Sequence, residues 1–174
     1  MEKRISKDSK RIAVLGPESS GKTTLCTYLE EFHDALVIKE FAREYLGNNS
    51  SSYSLNDLLT IAEQQFDSNE RAQSDLVVCD TEMITMLIWA SEKFGSIPGE
   101  LEDLAAAQQF DHFLLCRPDI SWEYDPLREN PMDRDRLFDL YLKALKNVQT
   151  PFSIVQGSKA ERIRSIDSLL SSLH

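Results

Sequence analysis

A chain of 174 residues carries enough material for one domain with a sizeable core. Hydrophobic residues at 41% and charged residues at 28% are ordinary for a soluble globular fold, and no apolar run is long enough to span a bilayer. The formal net charge of −10 argues against a protein that coats DNA, RNA or an anionic membrane, all of them polyanions, but permits a small anionic ligand held by a local cluster of Lys and Arg.

Residues 1–10 are basic and polar, with no apolar segment of signal-peptide type, and read as a short mobile arm ahead of a single domain over 1–174. The apolar run Ile12–Leu15 predicts a buried strand. Directly after it stands Gly16-Pro17-Glu18-Ser19-Ser20-Gly21-Lys22-Thr23, a complete G-x-x-x-x-G-K-[ST] phosphate-binding loop. Glycines at both ends let the backbone curl until successive N–H groups point inward, forming a nest for phosphate oxygens capped by a helix N-terminus. Lys22 is placed to reach the β- and γ-phosphates of a nucleoside triphosphate, and Thr23, rather than the adjacent Thr24, to set its hydroxyl on Mg²⁺. Gly16, Ser19, Ser20, Gly21, Lys22, Thr23 and Thr24 are the candidate nucleotide-binding set. Leu25, Tyr28, Leu29 and Phe32 follow at helical spacing and predict one buried face.

A second strand is predicted at Leu36–Ile38, with Glu40 just beyond it in Glu40-Phe41-Ala42-Arg43-Glu44. A carboxylate at that rim can take the proton of an attacking hydroxyl, or form a structural ion pair; Arg43 can bind phosphate or pair with an acidic neighbour. Residues 47–54 form a polar loop, and Leu55, Leu58, Leu59, Ala62 and Phe66 mark the next helix. The third strand, Leu76–Cys79, ends on Asp80, where phosphate-loop proteins hold Mg²⁺ because hard cations prefer oxygen; the alternative is a helix N-cap. Glu44 and Asp80 compete with Glu40 as the base.

Met83, Met86, Leu87, Ala90 and Phe94 predict a helix, Phe113–Cys116 a fourth strand, and residues 117–133 a lid containing three prolines, guanidinium groups, acids and aromatics. Arginines closing over phosphate would stabilise charge and exclude water, while Trp122 or Tyr124 could stack on a flat ring. A helix through Leu137, Leu140, Tyr141, Ala144 and Val148, a strand at Phe152–Val155 and a last helix through Ile163, Ile166, Leu170 and Leu173 complete the chain, Ser158 and Glu161 resembling a capping box. Short, continuously apolar strands alternating with helices argue for an α/β fold with a five-stranded parallel sheet, ligands sitting outside the strands' carboxyl ends. Cys26, Cys79 and Cys116 lie in apolar segments without metal-ligand spacing and read as reduced core thiols of a cytoplasmic protein.

Taken together, Gly16 to Leu25, Glu40 to Leu46, Cys79 to Glu82 and Pro118 to Arg128 resemble the ribosylnicotinamide kinase domain of the NadR type, over nearly the whole chain. The resemblance implies a P-loop kinase-like three-layer fold and transfer of the γ-phosphoryl of ATP to the 5′-hydroxyl of nicotinamide riboside, giving nicotinamide mononucleotide. It further implies that Trp122 and Asp125 face the riboside and that Arg128 acts in the lid. Pro126 stands where the family's glycine is expected, and Glu82 where a second aspartate is common. Longer members carry an adenylyltransferase domain ahead of the kinase; this chain, without room for one, is expected to stop at the mononucleotide. The phosphate loop also resembles that of RecA-type recombinase ATPases, which would need a longer core and a DNA-binding surface. A switch-type nucleotide-binding module is the third reading, weakened by the absence of an Asn-Lys-x-Asp motif. The expected partners are thus ATP with Mg²⁺ and a small nucleoside, with no nucleic acid and no membrane.

Overall fold

The computed structural model describes residues 9–47, 52–124 and 132–173. Its elements are β1 (Lys10–Leu15), α1 (Lys22–His33), β2 (Leu36–Ile38), α2 (Phe41–Leu46), α3 (Leu55–Arg71), β3 (Leu76–Asp80), α4 (Met83–Phe94), α5 (Gly99–Ala107), β4 (His112–Cys116), α6 (Arg134–Leu145), β5 (Phe152–Val155) and α7 (Lys159–Leu173). The five strands pair in parallel in the order β2-β3-β1-β4-β5. Parallel strands need helical crossovers, and those helices cover both faces of the sheet, which is why the central strands carry continuous buried apolar runs, Ile12–Leu15, Val77–Cys79 and Phe113–Cys116.

Alternation along β1 shows the three layers. Ile12 and Val14 pack with Leu25 and Leu29 of α1 and Ile166 and Leu170 of α7. Ala13 and Leu15 pack on the opposite face with Ile84 and Ile88 of α4 and Phe138, Tyr141 and Leu145 of α6. A third cluster joins α2, α3, α4 and α5 through Ala42, Leu58, Ile61, Met86 and Leu101. The fold is therefore the expected α/β architecture, with all five strands within a residue or two of their predicted positions.

Several details differ from the sequence expectation. Lys10 already belongs to β1, while residues 1–8 lie outside the described residues. Phe32 is 69% exposed, stacking only on Tyr28, and Cys26 takes the core position instead. Val148 is exposed because α6 ends at Leu145. Helices α2 and α5 carry too thin an apolar stripe to be read from periodicity: each has one buried residue, Ala42 and Leu101 respectively. In α3 the core face includes Gln65 and Asn69, with Phe66 only half-buried. The capping box at α7 is present, Glu161 accepting from Ser158 N at 2.7 Å while Glu161 N donates to Ser158 Oγ at 3.3 Å.

Replacing a residue on the real core face should cost far more than replacing one on the apparent face. Leu29→Ala is expected to lose about 2–5 kcal/mol. Phe32→Ser should lose at most about 1 kcal/mol, the loss of one exposed ring pair. Urea denaturation of the two variants measures both.

Candidate active site

The turn out of β1 is built on backbone conformations that only certain residues reach. Gly16 has φ 141° and lies so close to β4 that a Cβ would sit 2.6 Å from the Cys116 carbonyl oxygen. Gly21, at φ 88°, precedes α1 without a side chain to cap it, so the helix presents its first-turn N–H groups at the mouth of the loop. Lys22 Nζ curls back onto the Gly16 and Pro17 carbonyls, both at 2.9 Å. Thr23 and Thr24 are exposed on the first turn of α1.

These residues line a cleft of about 620 Å³. Glu40, Arg43, Asp80 and Thr81 also line it, as do Tyr53, Trp89, Lys93, Leu137 and Tyr141 from α4, α6 and the segment before α3. The sequence-predicted Gly16, Ser19, Ser20, Gly21, Lys22, Thr23, Thr24, Glu40, Arg43 and Asp80 are thus brought together. Glu44 is exposed and outside the cleft lining. Among the lid residues, Ile120, Ser121 and Glu123 reach the cleft, whereas Trp122 is set against Arg134, whose guanidinium carbon lies 5.8 Å from its ring centre. Asp125 and Arg128 lie outside the described residues. Arg136, just beyond the lid segment, pairs with Glu92 and Asp133 on the surface.

Asp80 does not cap a helix. That role belongs to Glu82, fully buried, whose carboxylate accepts from Ile84 N at 2.6 Å, Thr85 N at 2.9 Å, Thr85 Oγ1 at 3.0 Å and Gln108 Nε2 at 3.0 Å. Asp80 is 8% exposed, and its Oδ1 is buried without a hydrogen-bond partner, as are Ser20 Oγ and Thr81 Oγ1 nearby. Thr81 holds φ 88°, a costly conformation for a β-branched residue of the kind that clusters at functional sites. Burial raises the Asp80 pKa above the ordinary carboxylate value, against the opposing pull of Lys22 and Arg43. Burial likewise raises that of Glu40, opposed by Lys22, reinforced by Asp80 and opposed again by Arg43, whose Nε donates to Glu40 Oε2 at 3.1 Å.

The lid segment is tied to the loop before the described chain breaks off. Ser19 Oγ accepts from Glu123 N at 3.2 Å, and Arg134 donates to the Ser19 and Ile120 carbonyls, each at 3.0 Å. From α7, buried Arg162 donates to Ser20 O at 2.7 Å, Arg117 O at 2.8 Å and Gly157 O at 3.0 Å, and pairs with Asp119. Sequence reading singled out none of Arg162, Gln65, Asn69, Tyr53 or Trp89. The available signal was polar side chains at core spacing: Gln65 and Asn69 continue the Leu58, Ala62 row of α3.

A family model described as an AAA domain matches residues 11–162. The chain belongs to the AAA domain family. Its relatives bear out the resemblance drawn from the motifs. It is 26% identical over 150 residues to the trifunctional NAD biosynthesis/regulator protein NadR of Salmonella typhimurium, covering 81% of this chain and 37% of that protein. The Escherichia coli NadR matches at 25% over 154 residues, 83% of this chain and 38% of that one. The chain thus spans under two fifths of the curated relatives it matches. Among solved structures, NadR in complex with NR superposes with TM-score 0.72 at 21% identity, over 94% of this chain and 50% of that one. NadR in complex with NAD and AMP-PNP gives 0.69 at 22%, over 94% and 49%. Thymidylate kinase from Ehrlichia chaffeensis gives 0.65 at 17%, over 93% and 98%. The AAA-domain chain therefore has the fold of P-loop nucleotide kinases.

The raised pKa of Asp80 has a defined consequence for stability. A carboxyl whose folded pKa lies above its unfolded value stabilises the fold below the unfolded pKa, and that contribution is lost as pH rises through the folded pKa. Asp80→Asn carries no such loss. Its melting temperature at pH 7 should exceed that of the native chain, and the difference should vanish once the pH falls below the unfolded carboxyl pKa. Thermal scans at several pH values test this.

Proposed function

We propose that this protein transfers the γ-phosphoryl of ATP to the 5′-hydroxyl of nicotinamide riboside, yielding nicotinamide mononucleotide. The observation that carries the reading is a cleft lined together by the phosphate loop, Glu40, Asp80 and the aromatic Tyr53, Trp89 and Tyr141. That arrangement, with NadR relatives along four fifths of the chain, supports a nucleoside kinase over a recombinase ATPase or a switch.

The uncapped first turn of α1 and the loop amides bind the phosphates, and Lys22 exchanges its own loop carbonyls for them. Thr23 and Asp80 suit Mg²⁺: a hydroxyl and a buried carboxylate with one oxygen left without a partner are hard donors. When bound, the cation supplies charge neutralisation on the phosphate oxygens. Glu40 accepts the proton of the attacking hydroxyl. Its pKa, raised by burial, moves toward the operating pH, which favours a general base, and Arg43 orients it through Oε2. Glu44, outside the cleft lining, is the weaker candidate.

A planar, positively charged acceptor ring would stack on Trp89, which lines the cleft, rather than on Trp122, which lies beside Arg134; this supports moving the stacking role from Trp122 to Trp89. Asp125 and Arg128 keep the roles the resemblance implies, ribose contact and lid closure.

A panel of nucleosides with ATP and Mg²⁺, read by product mass, tests the acceptor. Phosphorylation of nicotinamide riboside is expected. Strong activity on another nucleoside alone overturns the acceptor but leaves the kinase chemistry, and single-stranded DNA stimulating ATP hydrolysis without any nucleoside product would favour the recombinase reading. Lys22→Ala should abolish transfer with circular dichroism unchanged. Glu40→Gln should lower kcat roughly 10²- to 10⁴-fold with little effect on the KM for ATP. Trp89→Ala should raise the KM for the riboside more than Trp122→Ala does, and the opposite order would return the stacking role to Trp122.

A further inference from the structure

Two buried amides on α3 are not themselves part of the cleft lining, yet both bond to the backbone that carries its carboxylates. Gln65 is fully buried. Its Oε1 accepts from Phe41 N at 2.7 Å and its Nε2 donates to Lys39 O at 3.3 Å, the peptide groups on either side of Glu40. Gln65 Nε2 also donates to Asn69 Oδ1 at 3.0 Å. Asn69, 3% exposed, completes the chain by donating Nδ2 to Thr81 O at 3.2 Å, one residue past Asp80. The two residues stand one helical turn apart, so both amides lie on the same face of α3.

We propose that Gln65 and Asn69 form a buried amide bridge that sets the relative position of Glu40 and Asp80, making them positioning residues for phosphoryl transfer. The inference rests on the kinase reading given above. Polar groups buried in a core are retained at a cost unless fully bonded, and here every bond but one goes to backbone at the end of β2 or β3 rather than to a neighbour within α3. The bridge also has something to hold. Thr81 occupies a strained conformation, and Glu40 sits at the N-cap position of α2 with no capping bond from its own side chain. Gln65 satisfies Phe41 N, one of the first-turn N–H groups of α2 that have no intrahelical partner, while the Glu40 residue lines the cleft. Through Asn69 the same unit reaches the Asp80 turn, so a displacement of α3 moves both carboxylates together.

Gln65→Met and Asn69→Leu keep the side-chain volume and remove the hydrogen bonds. In the folded variants kcat should fall about 10- to 100-fold while the KM for ATP stays near that of the native chain, since small misplacements of reacting groups are costly and the phosphate loop is untouched. In a Glu40→Gln background the further loss from Gln65→Met should be much smaller, because the amide acts through the carboxylate. Amide hydrogen exchange at Phe41 should accelerate in Gln65→Met. Unchanged protection at Phe41 overturns the proposal whatever the activity. Faster exchange with kcat within about twofold of native reduces the amides to a purely structural role and overturns it as well. If Gln65→Met does not fold, Asn69→Ala, which removes the bonds to Thr81 O and from Gln65 Nε2 but keeps the Gln65 bonds to Phe41 and Lys39, carries the same kcat and KM comparison. A native chain that phosphorylates no nucleoside overturns the kinase reading itself, and this inference with it.

Discussion

A parallel sheet leaves the last carbonyls and amides of its strands pointing beyond the ladder, and here five such ends meet on one rim. Each backbone group left unpaired in that setting would cost about 1–3 kcal/mol. The fold answers with buried side chains drawn from distant parts of the sequence. Gln65 serves the end of β2, Asn69 and Glu82 the turn after β3, and Arg162 the ends of β4 and β5 together with Ser20 of the phosphate loop. Because these partners are fixed within the helical layers, the cleft inherits their rigidity. The arrangement of the cleft carboxylates is a by-product of satisfying a polar edge.

The same burial sets the electrostatics. Glu40 and Asp80 are pushed upward in pKa by loss of water, with Lys22 the first opposing charge in both cases. Glu82 shows the contrast: equally deprived of water, it is met by four hydrogen bonds and serves only to cap α4. Desolvation without a full set of partners is what distinguishes the cleft carboxylates from the structural one. Asp80 Oδ1, buried and unpaired, is the clearest instance.

Much of this was legible before any coordinates. The strands announced themselves as short apolar runs, and the loop after Leu15 carries its chemistry in its spacing. Glu40 and Asp80 were legible because each directly follows a strand. Trp122 was harder: an aromatic in a polar loop resembles a ligand platform in sequence, and only packing shows its ring against Arg134 rather than in the cleft. Trp89 was hidden by the opposite effect, since an aromatic within an apolar helix reads as core. Asp80 and Glu82 were also ambiguous, two acids one residue apart at the same strand end, and local composition does not say which turns inward to cap.

The sequence by itself determined the parallel sheet with its alternating helices and the nucleotide-binding loop, because both depend on local pattern: apolar period, glycine placement and the lysine and threonine that follow, whereas the strand order came only with the fold. Only the tertiary structure decided which polar residues are buried and what they hold. Gln65, Asn69 and Arg162 bond to backbone 12 to 142 residues away, and no pattern within a helix can show that the carbonyl it meets belongs to another strand's end. Hydrogen bonds of that range exist only once the layers have closed.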